Sequence, residues 1–416
     1  MTPSYVPVGR VLSCEVFLPS PRPGVAVIAS TCAVTRETPC LLSMHGVISR
    51  SDTVDISFLR FSDDNGRTWS VPIEWPTKFA APGGTGRRHP KIGFLDPHTG
   101  RFLTFWTEGV LPTDNPLEGM RQWGLMYAVS DDGGRTERVC EPIVQDEPGY
   151  DATHPLPGVV RGRTCVMIGD LTCCALALAD GTILVPVQAT PAGPDGFYHP
   201  PKGALTFTDV LVLRGRWKPD GRLSWTASAR VSCDPRRSTR GMIEPTLAEL
   251  PDGRLLMVMR GSNDHQQSLP GFRWHSFSDD QGRTWTAPEP WRFTNGEAFF
   301  SPSSCSQLVP HSNGRIFWVG NICPTNPRCN SPRYPLVLGE VDRHSGLLKR
   351  ETLAVLDDRR PGENERLTLS NFLVREDLET PDLLLHMTRL FARPDLPGGQ
   401  PDWTADALLY RIRVPD

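Results

Sequence analysis

A short apolar run, a turn holding a glycine and a longer apolar run recur along this chain. The clearest copy is Leu247-Ala248-Glu249-Leu250-Pro251-Asp252-Gly253-Arg254-Leu255-Leu256-Met257-Val258-Met259-Arg260. The same form occupies residues 94–106 around Gly100, 176–188 around Gly181 and 308–321 around Gly314. A worn copy at 372–389 has Asp382 in the glycine position. Apolar runs of this length, punctuated by turn residues, predict β-hairpins, and their recurrence predicts a repeat architecture.

A second motif lies between the hairpins. Ser278-Asp279-Asp280-Gln281-Gly282-Arg283-Thr284-Trp285 has the form Ser-x-Asp-x-Gly-x-Thr-Trp. It returns at 62–69, and again at 130–137 with Glu137 in place of Trp. Each copy follows a strand-like run and precedes polar residues and a proline. The chemistry is that of a turn: an Asp side chain accepts backbone N–H groups, Gly takes positive φ, and Trp covers the hairpin from the side.

These segments resemble the Asp-boxes, or BNR repeats, of the sialidase superfamily. The resemblance implies an all-β fold, a six-bladed β-propeller with Asp-box hairpins, in which the boxes are structural turns away from the substrate. One propeller domain would span 1–416, with blades at about 1–80, 87–145, 165–233, 242–291, 300–354 and 368–416. The apolar hairpins become the inner two strands of each blade and the boxes join the outer two. The third blade has no box and turns at Pro219-Asp220-Gly221, and the fifth has a worn box at 342–346. Ring closure calls for the N-terminal strand to pair with the last blade, which removes open edges. The polar, proline-rich stretches 146–164, 189–204 and 322–334 are candidate lips of a pocket.

Composition narrows the function. A net charge of −3 over 416 residues supplies no basic face for nucleic acid or a membrane surface. No run reaches the length of a membrane span. Met1-Thr2-Pro3-Ser4-Tyr5 lacks the charged start and apolar core of a signal peptide, so a reduced, cytoplasmic protein is expected. The 11 cysteines show no zinc-type spacing, and neither a metal nor a cofactor is expected.

In a propeller, equivalent positions of the inner strands face one central funnel. Counting seven residues on from each turn glycine gives Arg260, Thr107, Gln188 and Asn321, and from Asp382 it gives Arg389. Polar residues closing apolar strands suggest a polar rim around the axis. Glu244 opens the fourth inner strand, 16 residues before Arg260, a spacing that brings both to one end of a hairpin. Sialidases place a Glu and an Arg in this way: the Glu acts as base toward a nucleophilic Tyr, and the Arg is one of three that grip the substrate carboxylate. Arg333 resembles a second member of that trio. Arg suits the task because its planar fork meets a carboxylate with paired hydrogen bonds.

The chain also departs from the family. The segment 14–19, where the first-blade Arg would stand, has none, leaving Arg10 or Arg88 to take its part, though neither sits in a matching motif. The segment 367–372, where the Tyr would stand, has no Tyr. Asp52 stands nearest the expected acid, and His89 occupies in the second blade nearly the place of Glu244 in the fourth. The sequence therefore supports a sialidase-like glycoside hydrolase releasing a terminal, anionic sugar. Glu244, His89 and Asp52 are its catalytic candidates, and Arg260, Arg333, Arg389, Arg88, Gln188 and Asn321 its substrate-binding candidates. Two alternatives stay open: a uronate-type polysaccharide lyase using a His or Tyr base with Arg neutralising the carboxylate, and a carbohydrate-binding propeller without catalysis.

Overall fold

The computed structural model describes residues 6–415. Each apolar repeat forms an antiparallel hairpin: Ile92–Leu95 with Phe102–Leu111, Leu176–Ala177 with Ile183–Ala189, Ile243–Glu249 with Leu255–Arg260, Gln307–Pro310 with Ile316–Asn321, and Phe372–Glu376 with Leu383–Thr388. A sixth hairpin, Ala26–Ala33 with Leu41–Ile48, turns through 34–40 without a glycine. Further strands join the outside of each hairpin, giving six antiparallel sheets. Neighbouring inner strands pack against one another around the ring, and Ala26–Ala33 meets both Ile92–Leu95 and Phe372–Glu376. The fold is a six-bladed propeller.

The ring is closed by the N-terminus. Arg10–Leu18 pairs with Ala407–Arg413 and forms the outermost strand of the sixth blade, so residues 10–18 belong to the last blade and not to the first. Inner strands are covered on both faces by neighbouring blades, which is why they read as unbroken apolar runs. Phe105, Tyr127, Val185 and Trp225 fill the seam between blades two and three, and Val258, Trp291, Phe299 and Trp318 the seam between four and five. No helix among the described residues is long and apolar enough to cross a membrane.

The boxes sit where turn chemistry puts them. Asp280 Oδ1 accepts the N–H groups of Arg283 and Thr284, each at 2.9 Å, and Oδ2 accepts the Thr284 hydroxyl at 2.6 Å. Gly282, at φ +80°, turns its N–H onto Ser278 Oγ. In the damaged second-blade box, Glu137 ion-pairs with buried Lys91, whose ammonium lies over the rings of Trp75 and Trp106 at 5.3 and 4.7 Å. Asp280→Ala should therefore lower unfolding stability by about 1–3 kcal/mol, read from the denaturant midpoint, and leave any activity intact.

The strand register separates two ends of the molecule. Leu255 pairs with Ser278 at the box end, whereas Arg260 pairs with Arg273 at the opposite end. Polar side chains at that opposite end of the inner strands gather near the axis.

Candidate functional site

Two irregular inner strands build the site. In blade three the innermost strand is split into Val166–Met167 and Leu176–Ala177, both pairing with Ile183–Ala189. The intervening residues 168–175 leave the ladder and carry Gly169, Asp170 and Cys173 beside Glu244. In blade four the register slips between Ile243 and Thr246, and Glu244 adopts φ +48°, a left-handed conformation uncommon for a residue with a side chain. Gln188 Oε1 accepts the Glu244 N–H at 3.0 Å and holds that conformation. A side chain on Gly169 would meet Gln188 Oε1 at 2.7 Å and Glu244 Cγ at 2.9 Å, so only glycine permits this approach.

Glu244 Oε1 accepts Arg260 Nη1 at 2.5 Å, and both residues are buried. Arg260 Nε donates to Ser303 Oγ at 2.8 Å, while Arg333 Nη2 donates to the Ser303 carbonyl at 3.2 Å. Ser303 thus joins the two arginines, and the Glu244, Arg260 and Arg333 side chains share one place. Arg333 Nη1 also donates to Ser370 Oγ at 3.1 Å. Arg273, wholly buried, donates to the Ser304 carbonyl and to Ser301 Oγ.

The charges do not balance within the protein. Arg240, Arg273 and Arg333 make no ion pair among the described residues. Burial, with the charge of Arg260 adding to it, pulls Arg333 down to about 10, and burial likewise brings Arg273 to about 10. For Arg260 burial also favours the neutral form, but the Glu244 carboxylate turns the net shift upward. Asp170 behaves oppositely: burial first, then the Glu244 charge, push its carboxyl up to about 7. Four polar atoms of this cluster are buried and unpartnered: Glu244 Oε2, Asp170 Oδ1, Arg273 Nε and Arg333 Nε. Asp170 and Arg333 each keep part of their surface open. Polar groups left this way mark a place for a ligand that both donates and accepts.

The other predicted site residues have these surroundings. Arg389 is held by Asp357 and Glu363, so its fork is already filled. Asn321 is fully buried and donates to the carbonyls of Arg333, Pro335 and Leu369 while accepting from Ser304, which makes it a clamp on the segment bearing Arg333. Arg88 pairs with Glu108 at 2.6 Å and lies over Phe79. Gln188 positions Glu244. Gln188→Leu should accordingly lower any turnover by about 10- to 100-fold with KM nearly unchanged, measured by steady-state kinetics. His89 packs edge-on against Trp123; burial lowers its pKa, opposed by the charge of Asp52. Exposed Asp52 accepts the Ser51 hydroxyl. Neither His89 nor Asp52 shows a contact with Glu244 among the described residues.

Asp170 and Arg273 were missed. The pair Gly169-Asp170 interrupting an apolar run, and an Arg opening the strand Arg273–Ser278, are the signals that could have found them.

The fold is a six-bladed propeller with a charged cluster at one end of its inner strands. The chain belongs to the BNR repeat-like domain family, whose profile matches residues 155–371, just over half its length. Among solved structures it is similar to a protein of unknown function from Dyadobacter fermentans, at 14% identity and a TM-score of 0.63, covering 99% of this chain and 100% of that one. It is also similar to the Hadza microbial sialidase Hz136, at 14% identity and a TM-score of 0.56, covering 97% of this chain and 66% of that one. The intramolecular trans-sialidase from Ruminococcus gnavus, solved in complex with oseltamivir carboxylate, aligns at 12% identity and a TM-score of 0.54, covering 96% of this chain and 95% of that one. At these identities the likeness carries the fold. No curated protein matches the chain.

Proposed function

We propose that this protein is a glycoside hydrolase that releases a terminal, negatively charged sugar. The observation that carries the reading is the axial cluster itself: a carboxyl raised to about 7 at Asp170 beside a carboxylate held by Arg260 at Glu244, among guanidiniums that lack a counter-charge. A carboxyl that keeps its proton near neutral pH, beside a second acidic side chain, is what glycoside cleavage needs. Asp170, protonated near neutral pH, gives its proton to the departing glycosidic oxygen. Glu244 acts on the anomeric carbon or activates a water toward it. Arg333, part of whose surface is open, receives the anionic group, exchanging an uncompensated burial for paired hydrogen bonds, and Arg273 adds its positive charge from beneath. Neighbours on the same fold include sialidases, and one of them was solved with a carboxylate-bearing ligand, which supports an acidic sugar.

The test is a screen of wild type against aryl sialosides and uronic-acid polymers, read as released aglycone and as near-ultraviolet absorbance of an unsaturated product. Aglycone release that Glu244→Gln lowers by about 10²–10⁴-fold is expected. An unsaturated product would instead establish a lyase. Sugar binding without turnover, unchanged in Glu244→Gln, would establish a binding protein.

A further inference from the structure

Away from the axis, blades one and six meet along a polar face that the chemistry above does not use. Thr31, Ser43 and Arg60 lie opposite one another across three strands of blade one, and His386 of blade six approaches Thr31. Phe17, on the strand that closes the ring, covers this face: its ring centre is 4.6 Å from the His386 ring and 5.3 Å from the Arg60 guanidinium carbon. Arg60 also lies over Trp69 at 5.1 Å, and the Phe17 and Trp69 rings meet edge to face at 5.6 Å. His45 is two residues along from Ser43 and stacks on Phe58 at 5.3 Å.

Arg375 Nε donates to Thr31 Oγ1 at 2.8 Å, and His386 Nε2 lies 2.8 Å from the same hydroxyl oxygen. His386 Nδ1 is buried and unpartnered. Ser43 Oγ, His45 Nδ1, Arg60 Nε and Arg60 Nη2 are buried and unpartnered as well. Arg60 makes no ion pair among the described residues, and burial lowers its pKa. Burial, and the neighbouring Arg60 and Arg375 charges respectively, bring His45 to about 4 and His386 to about 3, so both rings are neutral at ordinary pH. Each unpartnered atom on this face is a donor or can present a proton. Arg60 Nε and Nη2 can only donate, and with Ser43 Oγ and the ring nitrogens beside them at a guanidinium without a counter-charge they favour an acceptor that carries negative charge.

We propose that the seam between blades one and six binds a small monovalent anion, a halide in ordinary saline, through Arg60, Ser43 and His386. The seam is where the ring closes, so the ion ties the first blade to the last and stabilises the closed propeller.

Bromide is the probe. Wild-type crystals soaked in sodium bromide should show an anomalous peak in contact with Arg60 and Ser43. Thermal unfolding should occur about 2–4 °C higher in sodium bromide than in sodium gluconate at equal ionic strength. Arg60→Met keeps an unbranched side chain against Phe17 and Trp69 and should lose both effects; should that variant fail to fold, Ser43→Ala should weaken both. A wild-type map with no peak at this seam, peaks only at surface arginines, or equal midpoints in the two salts would overturn the proposal.

Discussion

Asp170→Asn should yield a protein that is inactive and yet more stable than wild type above pH 7. Asp170 has its carboxyl raised from 3.8 to about 7, by burial first and by Glu244 second. The sign follows from linkage. The unfolded chain releases this proton near 3.8, while the folded chain keeps it to about 7. The stabilising contribution of the protonated form is therefore complete below 3.8, shrinks as pH rises, and is gone above about 7, where folding must bury an ionised carboxylate beside Glu244. Asn is a neutral counterpart that titrates nowhere. Allowing for the partly open surface of the residue, the gain at pH 8 should be about 1–3 kcal/mol, measured by urea unfolding. In the proposed hydrolase the same change removes the proton donor, and hydrolysis should fall by about 10²–10⁴-fold. Wild type should lose activity as pH rises through about 7. A residue that lowers stability where it is needed for turnover is a mark of a functional site.

The second large effect is acid lability from two buried histidines. His45 and His386 have folded pKa values of about 4 and about 3 against an ordinary 6.5. A depressed pKa means that the unfolded chain takes up protons first. The stability these rings contribute is present above pH 6.5 and is lost as pH falls toward 4 and then 3. Each ring contributes on the order of 3 kcal/mol to that loss. Urea midpoints measured from pH 7 down to pH 4 should fall steeply in wild type and less steeply in His386→Gln. An anion at the seam would offset the added charge, so halide should soften the fall.

Much of the scaffold could be read in the chain because each blade reuses one solution: buried strands give apolar runs, and their tight ends need Gly or Asp. Where a blade departs from that solution the reading failed. The first inner hairpin turns through 34–40, with Cys40 N–H on the Thr38 carbonyl and no glycine, so no period marked it. Asp170 sits where an inner strand breaks, and hydrophobic period cannot signal a residue that has left its ladder. Counting from the turn glycine found the correct end of each strand but not what its side chain does there. Arg260 turns to Glu244, Asn321 to three carbonyls and Arg389 to two carboxylates, and such differences depend on partners distant in sequence. The Glu244 and Arg260 pairing was legible because hairpin register alone decides it.

The most direct measurement is a crystal structure of Glu244→Gln soaked with sialic acid. The sugar should lie on the propeller axis, its carboxylate within about 3 Å of Arg333 nitrogens and its anomeric carbon facing Asp170 and residue 244. A sugar held with its carboxylate turned to solvent, or one found only in the outer cleft between Glu141 and Trp225, would contradict the account.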